Sequence, residues 1–151
     1  MDTVVNHLGQ CVADADRSRA FYEAVFGFRY WFEISLPDQP LATLVALPPP
    51  LGVRAVYLRR GDFVLELIEY ADAPPEPTER PRRMNDAGLT HLSLAVPDLA
   101  SARAAVSAHG GEVLDATDVG LAVMVRDPDG QLIELLPVAY RTSLPPWPPE
   151  D

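Results

Sequence analysis

Apolar and polar positions change period along this chain in a way that repeats once. Short apolar runs of strand character, Val4–Val12 and Leu89–Val96, each lead into a segment with apolar residues at helical spacing. In the first helix, from about Asp14 to Phe26, the stripe is Phe21, Val25 and, just beyond, Phe28; in the second, Asp98 to His109, it is Leu99, Ala102 and Val106. Asp14 and Asp98 stand where a side-chain oxygen can accept from the orphan amides of a first helical turn. Gly27 and Gly110-Gly111 stand where a left-handed residue ends a helix. Three strands follow each helix: Arg29–Ile34, Ala55–Arg60 and Phe63–Tyr70, then Glu112–Asp115, Leu121–Arg126 and Gln131–Leu136. Arg60-Gly61-Asp62 and Asp127-Pro128-Asp129-Gly130 carry the turn chemistry that links the last two strands of each set.

The repetition is also written in residue identity. With a shift of 84 positions, 8 of the 22 residues from 7 to 28 are identical to their counterparts, among them His7 to His91 and Asp14 to Asp98. At the last strand the shift falls to 68, placing Leu65-Glu66-Leu67-Ile68 on Ile133-Glu134-Leu135-Leu136, which leaves 16 extra residues in the first half. They are expected as a proline-bearing loop insertion within about 36–52. The unit is βαβββ, made twice. The expected fold class is α+β, two tandem modules whose curved mixed sheets face each other and enclose a cleft able to bind a metal. The expected bounds are a first module at 1–73, a Pro/Arg-rich linker at 74–86, a second module at 87–137 and a proline-rich C-terminal tail at 138–151, together one domain.

Charge narrows the partners. Acidic residues number 22 against 12 basic ones, a net charge of −10, which repels phosphate backbones and anionic lipid, so neither a nucleic-acid nor a membrane partner is expected. All basic residues are arginine, which excludes Schiff-base lysine chemistry and the lysine of a phosphate-binding P-loop. The single Cys11 cannot pair internally; with no signal segment or membrane span visible, a cytoplasmic location is expected.

The repeat also locates the polar anomalies. His7 and His91 lie in the first strand of each half, and Glu66 and Glu134 in the apolar last strand. A carboxylate within an apolar strand costs several kcal/mol (order of magnitude) unless paired. A strand histidine by itself is usually an ordinary hydrogen-bonded residue; a matched His/Glu pair in each half is also the donor set for a divalent first-row cation, with two positions left for substrate oxygens. Cys11 reads as a core thiol or as a lining residue on the side of His7, Glu69 as surface, and His109 as a solvated helix-end residue. Tyr30-Trp31-Phe32 and the 36–52 loop read as apolar wall and lid or as core, and Trp147 as a docked or a free tail residue. No basic cluster is contiguous, although Arg54, Arg59, Arg80, Arg82 and Arg83 could gather in space.

The segments Asn6-His7-Leu8-Gly9, Phe21-Tyr22-Glu23-Ala24-Val25-Phe26-Gly27-Phe28, Gly88–Val96 and Asp127-Pro128-Asp129-Gly130-Gln131-Leu132-Ile133-Glu134-Leu135 resemble the vicinal oxygen chelate superfamily over about residues 4–137. That superfamily includes glyoxalase I, methylmalonyl-CoA epimerase, extradiol dioxygenases, fosfomycin-resistance proteins and bleomycin-binding proteins. The resemblance implies His7, Glu66, His91 and Glu134 as ligands of one divalent ion (Zn, Ni, Co, Mn or Fe) and Glu66 and Glu134 as catalytic acid and base. It implies a glyoxalase- or epimerase-like isomerase or lyase that removes a proton beside a carbonyl through a metal-stabilised enediolate. The substrate would be a small molecule with vicinal oxygens and the protein a homodimer. The alternatives are an extradiol-type ring-cleavage dioxygenase, which uses two histidines and one glutamate, and a non-catalytic antibiotic-binding protein.

Overall fold

The computed structural model describes residues 3–75 and 83–141. The chain divides into two compact units, one running to Glu79 and one starting at Arg80. Each contains a four-stranded mixed sheet with one principal helix, so the fold is α+β and the βαβββ unit occurs twice.

In the first unit the elements are β1 (Leu8–Val12), α1 (Ala15–Phe26), β2 (Arg29–Leu36), α2 (Asp38–Val45), β3 (Val53–Arg60) and β4 (Phe63–Tyr70). The sheet order is β1-β4-β3-β2, with β1 parallel to β4 and the remaining pairs antiparallel. Asp14 caps α1 by accepting from the Arg17 amide at 2.9 Å, and Gly27 ends it at φ 66°, a conformation that only glycine adopts without a Cβ penalty. Glu69, expected at the surface, is instead half-buried and accepts from the Ala15 amide at 3.0 Å, a second anchor for the same helix end. The core lies between α1 and one sheet face: Phe21, Tyr22 and Phe26 against Val56, Leu58, Leu65 and Leu67, all buried. Tyr22, rather than Val25, shares that face with Phe21.

Two expectations here need correction. The first strand starts at Leu8, not Val4, because β4 turns back at Gly61-Asp62 and leaves the chain before His7 without a ladder partner; Val4 and Val5 are exposed. The 36–52 insertion is not wholly loop. It extends β2 to Leu36 and then forms α2, whose Leu41, Ala42 and Val45 close a small satellite core with Leu51, Val53, Ile68 and Tyr70. Asp38 ties its base by accepting from the amides of Leu51 and Gly52.

In the second unit the elements are β5 (Leu92–Val96), α3 (Leu99–Ala108), β6 (Glu112–Val113), β7 (Val123–Arg126), β8 (Leu132–Pro137) and a short α4 (Val138–Arg141), in sheet order β5-β8-β7-β6. Asp98 caps α3 through the Ser101 amide at 2.7 Å, and Val106 and Ala102 pack on Val123, Val125, Ile133 and Leu135. The two middle strands are shorter than their sequence suggests. After Val113 the chain makes a 3-10 turn at Asp115–Thr117, and Asp118 then accepts from the Gly120 amide, so β7 begins only at Val123. Residues 138–141 of the expected tail are helical; residues 142–151, with Trp147, lie outside the described residues, as do residues 76–82 of the expected linker.

Candidate functional site

The β1–β4 register sets the first half of the site. Gly9 is the ladder partner of Glu66, so His7, two residues earlier, lies on the same side of the sheet. Its Nε2 is 2.9 Å from Glu66 Oε2. A Cβ at Gly9 would stand at ordinary contact distance, 3.4 Å, from that same oxygen. The other ring nitrogen, Nδ1, is 2.6 Å from Asn6 Oδ1, which orients the ring and leaves Nε2 to face the carboxylate. Glu66 is buried at 8% exposure, and its second oxygen is also engaged: Tyr57, its ladder partner on β3, donates to Oε1 at 2.5 Å. Burial, then the hydrogen bond and charge of Glu66, push the Tyr57 phenol up to about 12, so it stays a donor through the neutral range. Phe32 stacks on the Tyr57 ring at 4.4 Å, and His7 meets it edge-on at 5.8 Å.

The second half reproduces this design with different supports. Ser93 is the ladder partner of Glu134, and His91 again precedes it by two residues. His91 Nε2 is 3.7 Å from Glu134 Oε2, and its Nδ1 is 2.9 Å from Thr90 Oγ1. Where the first unit has Gly9, Ser93 donates to Glu134 Oε2 at 2.6 Å; where it has Tyr57, the β7 partner is Met124. Glu134 is therefore the more exposed of the two carboxylates and the less enclosed by donors.

Among the described residues no group of three or more His, Cys, Asp or Glu side chains stands together as a metal cluster; within each unit the histidine faces the glutamate of its own sheet. Each pair nevertheless fits a cation. An imidazole Nε2 and a carboxylate oxygen face each other, and the remote ring nitrogen is held by a side-chain oxygen: for His7 the Asn6 carbonyl, which only accepts and so keeps the proton on Nδ1, and for His91 the Thr90 hydroxyl, which orients the ring without fixing its tautomer.

The other candidates separate from these pairs. Cys11 is exposed rather than core, because it alternates with Gly9 onto the Glu66 face, away from α1. Burial, followed by the neighbouring Cys11 and Glu66, raises the Tyr70 phenol, which places all three on that face. His109 sits at the end of α3 with Nδ1 2.8 Å from the Ala105 carbonyl, a helix-end role as expected. Arg54 does not join a basic cluster: it forks onto Asp16 and also reaches Glu33. Arg80 and Arg82 lie outside the described residues, and the Arg83 amide closes a turn with Asp86.

Sequence reasoning missed Tyr57, Ser93, Asn6 and Thr90. Tyr57 was within reach, since a hairpin turning at Gly61-Asp62 pairs Arg60 with Phe63 and hence Tyr57 with Glu66. No helix among the described residues is long and apolar enough to cross a membrane.

Comparison with known proteins adds the relatives. Residues 4–135 match the family model described as the Glyoxalase/Bleomycin resistance protein/Dioxygenase superfamily. The uncharacterized protein YaeR of Escherichia coli (strain K12) is 27% identical over 135 residues, covering 87% of this chain and 93% of YaeR. Among solved structures, the trypanothione-dependent glyoxalase I of Leishmania major superposes with a TM-score of 0.68 at 23% identity, covering 91% of this chain and 88% of its own. The fosfomycin resistance protein FosX of Listeria monocytogenes, in complex with Mn(II) and sulfate, gives 0.59 at 15% identity, covering 94% and 99%. At these identities the two structures speak for the fold.

Proposed function

The chain belongs to the Glyoxalase/Bleomycin resistance protein/Dioxygenase superfamily, and from that membership and its two histidine–glutamate pairs we propose a divalent-metal-dependent isomerase or lyase that moves a proton beside a carbonyl. The observation that carries this reading is the equivalence of the pairs: in both sheets the histidine lies two residues before the ladder partner of the glutamate. His7, Glu66, His91 and Glu134 would together hold one cation. Manganese bound to FosX is consistent with a divalent ion in this fold, and zinc, nickel, cobalt and iron suit the same donors. When bound, the cation supplies Lewis-acid withdrawal from two vicinal substrate oxygens, which acidifies the C–H between them.

The chain's own residues supply the rest. Asn6 accepts from His7 Nδ1 and so turns Nε2 toward Glu66, and the Thr90 hydroxyl orients the His91 ring toward Glu134. Glu66 and Glu134 are the proton-carrying groups. Tyr57 anchors Glu66, whereas Glu134 has only the Ser93 hydroxyl and more solvent. Return of the proton to the same carbon gives an epimerisation, and return to its neighbour an isomerisation. A homodimer, carried over from the family, is part of this proposal, and sedimentation at micromolar concentration checks it.

Purified protein dialysed against mixed divalent ions should retain about one ion per chain. In D2O it should exchange deuterium into α-hydroxy-ketone adducts or β-dicarbonyl thioesters. Glu134→Ala should lose both metal retention and exchange. Full exchange by that variant defeats the proposal; oxygen uptake with a catechol on the iron-loaded protein would replace it with ring cleavage.

A further inference from the structure

At one corner of the first unit, the end of α1, the start of β2 and the β3–β4 turn enclose a concavity of about 410 Å³. Its lining brings together Arg29, Arg59, Arg60 and Trp31. Arg29 and Arg59 are direct partners across the antiparallel β2–β3 ladder, a placement in which like charges repel. The chain has acids to spare, 22 against 12 basic residues, and it uses them on other arginines. Arg19 pairs with Glu23, Arg54 with Asp16 and Glu33, Arg103 with Asp115 and Asp118, and Arg126 with Glu112. Among the described residues Arg29 and Arg59 have no carboxylate in ion-pair reach. The third cation, Arg60, donates among the described residues to the Gly27 carbonyl at 3.2 Å, and Gly27 clears its seat, since a Cβ there would stand 3.2 Å from Nη1.

Aromatic packing orients this cluster without neutralising it. The Arg59 guanidinium lies over Trp31 at 4.9 Å from the ring centre, and half of Trp31 is exposed to the pocket side and solvent. Trp31 meets Phe32 edge-on at 4.7 Å, and Phe32 stacks on Tyr57, so a line of rings connects the arginines to the donor on Glu66.

We infer that this pocket binds a phosphoryl group. Two guanidinium groups on paired strand positions suit a dianion with three terminal oxygens, and the unrelieved Arg29–Arg59 repulsion is removed when such an anion sits between them. The concavity is larger than a phosphate alone needs and presents an indole surface, which suits a phosphate monoester on a small organic group. The inference is independent of the metal reading, because none of these residues is a proposed ligand.

Trp31 reports on the site directly once the second tryptophan is removed by Trp147→Phe in the full-length chain. Fluorescence titrations with inorganic phosphate, phenyl phosphate and phenol, on metal-free protein at low ionic strength, test the pocket without any turnover. The expected result is saturable, salt-sensitive binding of both phosphates and none of phenol, with each of Arg29→Gln and Arg59→Gln weakening it about tenfold. Phenyl phosphate tighter than inorganic phosphate identifies the source as an organic ester; equal affinity identifies the free anion. Arg29 is exposed and has no acidic partner among the described residues, so Arg29→Gln should melt no lower than the parent while losing the thermal upshift that phosphate gives the parent. Non-saturable signals, or phosphate affinity unchanged in the Arg29→Gln/Arg59→Gln double variant, overturn the inference.

Discussion

Tyr57 and Glu66 face each other across the β3–β4 ladder, the phenol donating to one carboxylate oxygen at 2.5 Å while His7 stands 2.9 Å from the other. A buried carboxylate engaged on both oxygens is held in one rotamer, which is what a metal ligand requires. Tyr57→Phe removes the donor and keeps the ring that stacks on Phe32. Chelator competition should show about 10–100-fold weaker metal binding, with the fold retained by circular dichroism. Unchanged affinity would remove Tyr57 from any positioning role.

The start of α1 is held by two carboxylates from different parts of the chain, Asp14 on the Arg17 amide and Glu69 on the Ala15 amide. Asp14→Ala should cost about 1 kcal/mol in urea unfolding. Glu69→Ala should cost a comparable amount, about 1–2 kcal/mol, because it leaves a half-buried amide unpaired. A surface glutamate, as Glu69 reads from sequence, would cost almost nothing, so the measurement separates the two roles.

Gly52 and Gly61 both have positive φ, 59° and 60°, but their surroundings differ. An Ala Cβ at 52 would come 2.6 Å from Asp72 Oδ2 and 3.1 Å from the Asp72 amide, which is itself bonded to the Leu51 carbonyl; at 61 it would meet nothing within 4 Å. Gly61→Ala should cost only the left-handed penalty of about 1–2 kcal/mol, and Gly52→Ala should cost more. Equal values from chemical denaturation would show that the Asp72 contact yields freely.

The hydrogen bond from Arg54, helped by the charges of Arg54 and Arg19, holds the Asp16 carboxyl below the ordinary range against the opposing effect of burial. A depressed acid stabilises the fold above the ordinary carboxylate value of about 3.9, and that contribution is lost as pH falls through the lower folded value. For an exposed pair it amounts to less than about 1 kcal/mol and shrinks with salt. Urea midpoints at pH 5 and pH 3 should therefore differ less in Arg54→Met than in the parent, and the gap should narrow in 0.5 M salt (about 4 Å of screening length).

Much of this arrangement is legible in the residue order because it is local. Asp14, Asp98 and Gly27 cap helices as their types and spacing say, and the two tight turns fix their hairpins. The repeat located His7, Glu66, His91 and Glu134, and each histidine does face the glutamate of its own half. What escaped depends on neighbours distant in sequence. The first strand of each half looks longer than it is, because its length is set by where the partner strand turns away. Strand alternation puts Cys11 on the side of His7, but its exposure depends on what covers that face. α2 hides among prolines, yet Leu41 and Val45 have helical spacing, and with Gln39 extended the regular turns open at Pro40, where a missing amide costs no hydrogen bond. Arg29 carries no signal of its own in the residue order, since only strand pairing brings it against Arg59.

The two-residue turn at Gly61-Asp62 has a consequence for how this hairpin tolerates change. Side chains on a strand point up and down by turns, so orientation is a matter of odd and even. One residue added or deleted between Tyr57 and Glu66 would leave composition and hydrophobic content nearly untouched. Placed within either strand, it would also break the parity that sets phenol opposite carboxylate, sending one of them to the helix side. A length change inside these strands is thus far more damaging than one the turn absorbs as a longer loop, and an intact spacing of nine residues is a simple mark by which a related chain can be expected to keep this pairing.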